Sequence, residues 1–266
     1  MPRISIVIPF RDRFPLLERC LKSIQLQDQE LEVILVDDNS SEGGLKDCLQ
    51  QFKSLGIKYI RNERRMGPGA SRNKGVDCAK GTYICFLDAD DFWKKNFLNT
   101  GASFLDKNTE AAGCILLPKN IYDRVPLTFQ IKARFFSTIK LLTLMFFYLF
   151  NKRQLMPAAS FVTQVSHMMF RRSHVQKFRE DLAFAEDWWM VMETSNKGPL
   201  MVVPQQLAFY YFTPTSYTWE KQREQASLKI LAYNELLGVL EKKYPKNIFT
   251  FLFRIYSKNL AINKQA

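Results

Sequence analysis

Three carboxylates in four residues, Asp88-Ala89-Asp90-Asp91, directly follow the apolar run Tyr83-Ile84-Cys85-Phe86-Leu87. Carboxylates set this close repel one another unless a cation lies between them. Mg2+ and Mn2+ prefer such hard oxygen ligands, usually one or two carboxylates completed by substrate phosphates. The plainer use of the same residues is a helix N-cap, a position Asp favours. Glu186-Asp187, before Trp188-Trp189-Met190, close a stretch that is otherwise basic or apolar. Acidic residues suit the first turn of a helix. A carboxylate beside two tryptophans also suits a general base with a raised pKa. At Asp37-Asp38 one carboxylate can cap the following turn, and Asp38 can accept hydrogen bonds from a nucleobase or ribose. In the segment 67–75, Gly67-Pro68-Gly69 precede Arg72 and Lys74. Basic residues near a helix start suit an anionic ligand, and a simple turn into a helix is the alternative. The segment is not a dinucleotide fingerprint, whose glycines follow the first strand. The only histidines, His167 and His174, stand at no metal-binding spacing.

These groups need a frame, and the hydrophobic pattern predicts one. Residues 4–8 form a β-branched run typical of a strand buried on both faces. Leu16, Leu17, Cys20, Leu21 and Ile24 repeat at helical spacing across 15–27. Strands are expected at 33–36, 57–60 and 83–87, and helices at 44–55 and 68–80. Short buried strands alternating with helices indicate an α/β fold with a Rossmann-like, mostly parallel central sheet flanked by helices. In such sheets ligands bind outside the carboxyl ends of the strands. Pro9-Phe10-Arg11-Asp12, Asp37-Asp38 and Asp88-Ala89-Asp90-Asp91 all fall there, so one rim should gather them. Beyond residue 105 the alternation weakens. A helix is expected at 141–150, an extended segment at 160–170, a helix at 187–196, strands at 200–203 and 207–212, and C-terminal helices at 220–243 and 247–260.

The 266 residues suggest one or two domains. With 47% hydrophobic and 24% charged residues, the chain is not a disordered, collagen-like or disulfide-dense sequence. Its five cysteines show no C-x-x-C pair and read as reduced, mostly buried thiols. The net charge of +12 is lopsided: residues 1–100 hold 16 basic and 14 acidic side chains, and residues 101–266 hold 22 and 12. Ten Lys and Arg and no acid lie in 124–179. That stretch is either a solvated basic face or a contact for an anionic partner, such as a membrane surface or a diphosphate-bearing lipid. No helix-turn-helix, zinc-finger or RNP pattern points to nucleic acid. The N-terminus does not read as a signal peptide, and no apolar run reaches the ~18 to 20 residues of a membrane span. A cytoplasmic protein is expected, with peripheral contact at the inner membrane face.

Taken in order, these segments resemble the family 2 glycosyltransferases of the GT-A fold. Ser5-Ile6-Val7-Ile8-Pro9-Phe10-Arg11-Asp12-Arg13 is similar to their opening strand and loop, and Val36-Asp37-Asp38-Asn39-Ser40-Ser41 to their base-binding turn. The segment 67–75, with Ala70-Ser71-Arg72-Asn73, precedes the fourth strand as in the family. Asp88-Ala89-Asp90 resembles the D-x-D signature. Phe170-Arg171-Arg172 with Ala185-Glu186-Asp187-Trp188 resembles the acceptor-side block. The resemblance implies an inverting enzyme that moves a sugar from a nucleotide-sugar, most often a UDP-sugar, to a glycan or lipid-diphosphate-linked acceptor in bacterial cell-surface polysaccharide or lipopolysaccharide synthesis. It implies that Asp38, assisted by Arg72, binds the base, that Pro9 and Phe10 contact it through backbone groups, and that Arg11 and Asp12 line the donor site. Asp88 and Ala89 would lie near the ribose or sugar. Mn2+ or Mg2+ would be held by Asp90 first, with Asp88 and Asp91. Asp187 would be the base, with Glu186 beside it, across the cleft from the D-x-D.

Two features depart from the family pattern. Arg11 replaces a frequent aromatic residue, and a guanidinium can also stack on a base. The late strand Tyr210-Tyr211-Phe212 is followed by no histidine. The competing readings are a sugar nucleotidyltransferase, disfavoured because the loop after the first strand has no glycine, and a non-catalytic binding module of the same fold. The expected organisation is one catalytic domain at 1–216, with a donor half at 1–104 and an acceptor half at 105–216, followed by a helical extension at 217–266.

Overall fold

Ile4–Phe10 forms strand β1, and all seven of its side chains are buried. In the computed structural model the described residues are 3–41, 44–122, 164–182 and 186–212, with 234, 237, 238, 241 and 242. Around β1 lie β2 (Leu31–Asp37), β3 (Lys58–Arg61) and β4 (Tyr83–Phe86). Then come β5 (Phe92–Trp93), β6 (Gly113–Tyr122), β7 (Met168–Arg171) and β8 (Leu200–Phe212). The eight described strands form one sheet in the order β3-β2-β1-β4-β7-β6-β8-β5. The β3, β2, β1 and β4 half is parallel, as the pattern predicts. From β7 onward the sheet is mixed: β7 runs antiparallel to β4 and β6, and β6 runs parallel to β8.

The chain fills β3, β2 and β1 on one side before crossing to β4, so the strand order reverses between β1 and β4. In sheets of this kind ligands bind outside the carboxyl ends of the two strands at such a reversal. Alternation along β1 feeds two cores. Ile4, Ile6 and Ile8 pack with α1 (Phe14–Gln25), α2 (Leu45–Gln51) and α4 (Phe97–Lys107) on one face. Val7, Ile34, Ile84 and Phe86 pack on the other, under α3 (Pro68–Cys78) and α5 (Glu186–Ser195). Helix α3 sits unusually close to β1, because a Cβ on Gly75 would stand 2.2 Å from Val7 Cγ1.

Several elements differ from the expected ones, each for a local reason. The helix expected at 44–55 breaks at Phe52 into α2 and a short 3-10 turn, Lys53–Leu55. Strand β3 is an exposed edge rather than a buried strand; Lys58, Tyr59 and Arg61 face solvent, as edge strands often do. The two late strands are one, β8, interrupted by a register shift where Pro204 and Gln205 have no partner on β6. Strand β6 is not among the expected elements: Cys114-Ile115-Leu116-Leu117 is a buried apolar run, but Pro118, which follows it at the register shift, argues against a strand. The expected extended segment begins among the described residues with a 3-10 turn, Val165–His167, before β7. The helix expected at 141–150 lies outside the described residues. So do 160–163, 213–216 and nearly all of 217–266, whose few described positions are helical. Among the described residues no helix is long and apolar enough to cross a membrane. All five cysteines are free thiols, four of them buried.

Candidate active site

Three loops meet at the carboxyl ends of β1, β2 and β4. After β1, Asp12 and Arg13 both take left-handed backbone, φ 54° and 59°, at about 1–2 kcal/mol per residue. The loop after β2 holds them there. Asp12 N donates to Ser40 Oγ (2.8 Å), and its Oδ1 accepts from Ser41 N (2.8 Å) and Ser41 Oγ (2.7 Å). The Ser41 hydrogen bond lowers the Asp12 pKa despite some burial. Pro9 and Phe10 are buried at the end of β1, and Arg11 projects to solvent.

The two acids that end β2 have separate tasks. Asp37 is buried and accepts from Ser40 N (2.7 Å) and Tyr59 Oη (2.7 Å), as a turn-capping residue does. Burial and Asp37 together push the Tyr59 phenol up to about 12. Asp38 accepts from Asn62 Nδ2 (2.9 Å), Met66 N (2.7 Å) and Gly67 N (2.9 Å). It thereby holds the loop that leads into α3 against the end of β2.

The three carboxylates after β4 go to three places. Asp88 reaches back to α3 and accepts 2.6 Å from Arg72 Nη2, while its N–H donates to Ser166 Oγ at 3.1 Å. Ala89 is partly exposed between its neighbours. Asp90 stays at the rim, its side chain 20% exposed, with Arg13 Nη1 3.8 Å from Oδ2. Arg19 of α1 donates to the Asp90 carbonyl at 2.6 Å. Asp91 is buried and closes a turn onto the Asp88 carbonyl. Burial, and then Asp91 and Asp90, raise the Tyr210 phenol. Burial and the Asp88 charge raise Asp90 to about 6, against the pull of Arg13 and Arg19. A carboxylate so raised at an open rim suits a hard divalent cation. Among the described residues no three His, Cys, Asp or Glu side chains form a ready cage. Asp90, the partly exposed carboxylate, is the donor that a cation completed by substrate oxygens would use. The structure gives no support to Asp91 as a ligand, since that carboxylate lies inside the fold.

Helix α5 brings the second acidic pair. Glu186 and Asp187 occupy its first turn, where the helix dipole favours negative charge. Glu186 is buried against α3, and Gly69 makes room for it: a Cβ there would lie 3.2 Å from Glu186 Cγ. Arg72 Nη1 donates to Glu186 Oε1 at 3.0 Å. One guanidinium, 5% exposed, thus joins the end of β4 to the start of α5. Burial alone would lower Arg72, but Asp88, Glu186 and Asp187 outweigh it and keep it charged. Burial and Glu186 raise Asp187 to about 7, against the opposing charge of Arg72. Arg179 stacks over Trp189 at 4.8 Å.

The structure therefore gathers Pro9, Phe10, Asp12, Asp38, Asp88, Asp90, Glu186 and Asp187 at one end of the sheet, linked through Ser40, Arg13 and Arg72. It turns Arg72 away from an open face and into a bridge between two carboxylates. Sequence reasoning overlooked Arg13, Arg19 and Ser166, which sit against the D-x-D. Arg19 and Ser166 lie 71 and 78 residues from their partners, and no spacing signal announces such contacts. The described cations of the basic stretch are all engaged within the fold. Arg171 donates to the Leu105, Asn108 and Ala111 carbonyls, and Arg172 to Gly81 O. Lys177 pairs with Asp77 and Arg179 with Asp181. The rest of that stretch lies outside the described residues.

Residues 5–178 match the profile described as Glycosyl transferase family 2. A GalNAc(5)-diNAcBac-PP-undecaprenol beta-1,3-glucosyltransferase of Campylobacter jejuni is 40% identical over 104 residues, 38% of this chain and 33% of that one. The poly(ribitol-phosphate) beta-N-acetylglucosaminyltransferase TarS of Staphylococcus aureus is 27% identical over 218 residues, 80% of this chain and 36% of that one. The chain thus spans about a third of the length of these curated relatives. The fold matches the S. aureus TarS 1–349 crystal structure with a TM-score of 0.64 at 21% identity, covering 89% of this chain and 66% of that one. It also matches a Pyrobaculum calidifontis mannosyltransferase in complex with GDP-Man and Mn2+, with a TM-score of 0.64 at 16% identity, covering 88% and 64%.

Proposed function

The chain belongs to the family 2 glycosyltransferases, and from that premise we propose that it moves a hexosyl or N-acetylhexosaminyl group from a UDP-sugar to an acceptor hydroxyl with inversion. The observation that carries this reading is that one buried guanidinium, Arg72, ties the carboxylate that follows β4 to the first turn of α5, so that both acidic groups lie at one end of the sheet. Asp88 and Asp90 stand at the end of β4, and Glu186 and Asp187 stand at the start of α5, with Arg72 between them. An in-line displacement needs a base on the face opposite the leaving group, and in this reading Asp187, beside Glu186 on α5, takes that role.

In the proposed mechanism Asp38 and the backbone at Pro9 and Phe10 bind the nucleobase, and Arg11 and Asp12 line the donor pocket. Asp90 and the donor diphosphate would hold Mn2+ or Mg2+, which when bound offsets the charge of the departing UDP. Asp187 takes the proton of the acceptor hydroxyl as its oxygen attacks the anomeric carbon. A base raised to about 7 is deprotonated in useful amount at neutral pH and still basic enough to accept that proton. Glu186, held by Arg72 and packed on Gly69, keeps the first turn of α5 in place.

The acceptor is inferred from chemistry shared by relatives. One acts on a diphosphate-linked undecaprenol saccharide and another on poly(ribitol-phosphate). A lipid-diphosphate-linked or phosphate-bearing glycan fits both. We assign residues 1–216 as the catalytic unit and 217–266 as its extension. The test is UDP release from a panel of UDP-sugars, with and without Mn2+ and with lipid-diphosphate-linked glycans. Acceptor-dependent release supports transfer. UDP binding with no turnover on any acceptor returns the chain to a binding module.

A further inference from the structure

Helix α3 buries an unusually polar run. Ser71, Arg72 and Asn73 are all buried in sequence, and each faces a different part of the site. Ser71 Oγ accepts from Asn62 at 3.0 Å, next to the loop that Asp38 holds. Asn73 Oδ1 accepts from Phe178 N (2.9 Å), and its Nδ2 donates to Phe178 O (2.9 Å) and Glu180 Oε1 (2.8 Å). Arg72 takes the centre, with Asp88 on one side and Glu186 on the other. Its guanidinium also lies over the Phe178 ring at 5.3 Å. Asp88 belongs to the donor half and Glu186 to the acceptor half, 114 residues from Arg72 in sequence.

We propose that Arg72 is a positioning residue that ties the donor-side carboxylate Asp88 to the first turn of α5 and so sets the place of Asp187. The proposal rests on the glycosyltransferase reading and differs from it on one point: Arg72 is not a donor contact. A planar guanidinium can serve two carboxylates at once, each from its own nitrogen, and a lysine ammonium lacks that fork. With the Arg72 side chain buried, removing it leaves two acids facing each other with no cation between them, which pushes the start of α5 away from the D-x-D. Among the described residues, the charges that act most on Asp187 are Glu186 from its own helix, Arg72 from α3 and Asp88 from the end of β4. Trp188 N donates to its Oδ1.

The experiment uses the full chain with Arg72→Met, Arg72→Lys and Glu186→Gln. UDP affinity is read by calorimetry, and kcat and donor KM are read from acceptor-dependent UDP release across pH. Arg72→Met and Arg72→Lys are expected to keep UDP affinity within about threefold and to lose about tenfold or more in kcat. The acidic limb of kcat should move to higher pH in Arg72→Met, which removes a cation, and to lower pH in Glu186→Gln, which removes an anion. These movements follow from charge alone; the positioning role is read in Arg72→Lys, which keeps the cation and the pH limb but should still lose kcat because a lysine cannot serve both carboxylates. Should Arg72→Met fail to fold, Arg72→Lys carries the loss of kcat with UDP affinity kept, and Glu186→Gln carries the movement to lower pH. A tenfold loss of UDP affinity with saturated kcat kept would make Arg72 a donor contact and overturn the proposal. Should the wild type transfer to no acceptor, the functional reading fails alone. Carboxyl NMR titration of Asp187 in the same variants then decides the coupling, and unchanged titration in both variants refutes it.

Discussion

Asp187 offers the sharpest test of the site, because one carboxylate should govern both rate and stability with opposite signs. Burial and the neighbouring Glu186 raise its pKa from the model-peptide value of 3.8 to about 7. In the proposed role of base it works only when ionised. At pH 6 about a tenth of the enzyme would carry the ionised form and at pH 8 about nine-tenths, so kcat should fall about tenfold per pH unit well below 7. The stability consequence runs the other way. A folded-state pKa above the unfolded one means that the native state binds the proton more tightly, so stability is lost as pH rises from about 4 through about 7. At about 1.4 kcal/mol per unit the strain is a few kcal/mol at pH 8. Asp187→Asn keeps the shape and removes the charge. It should lose roughly 10² to 10⁴ in kcat with UDP affinity near wild type. It should also be more resistant to urea than wild type at pH 8, with the difference vanishing toward pH 4. The assays are UDP release at constant ionic strength across pH 5.5–8.5 and urea unfolding at pH 4 and 8. A flat kcat profile, or Asp187→Asn less stable than wild type at pH 8, would refute the reasoning. If Glu186→Gln abolishes transfer and Asp187→Asn keeps it, the base is the adjacent residue.

Other perturbations probe the frame around this base. Asp90→Asn should remove most of the Mn2+-dependent gain in UDP affinity; unchanged metal dependence by calorimetry would discard Asp90 as the ligand. Gly75→Ala places a Cβ 2.2 Å from Val7 Cγ1, an overpacking of about 1–3 kcal/mol. It should lower Tm by several degrees and reduce kcat through displacement of α3, and an unchanged melting curve would contradict the close packing. Asp38→Ala strips the acceptors of Met66 N, Gly67 N and Asn62 Nδ2, each worth about 1–3 kcal/mol if left unsatisfied. It should therefore weaken both the fold and UDP binding, and loss of binding with Tm unchanged would mean that Asp38 touches the donor alone.

What the chain alone determines lies in its local patterns. The β-branched run of β1, the helical spacing of α1 and the acids that end β2 and β4 are short-range signals, read from periods of two and 3.6 residues. They suffice for an α/β frame, a parallel first half and a rim on which the polar clusters meet. They also suffice for the family, because its motifs are local strings. The mixed second half was hidden because Pro118 and Pro204 break the strand pattern at a register shift that only pairing reveals. The exposure of β3 was hidden because a strand's sequence does not say which edge of a sheet it will occupy. The division of labour within Asp88, Asp90 and Asp91 was decided by partners far along the chain: Arg72 for the first, Arg13 and Arg19 for the second, the interior for the third. The meeting of Arg72 with Glu186 is of the same kind. Coulomb attraction acts through space, and a bridge across 114 residues of chain exists only once the sheet has folded and Gly69 has let α5 approach.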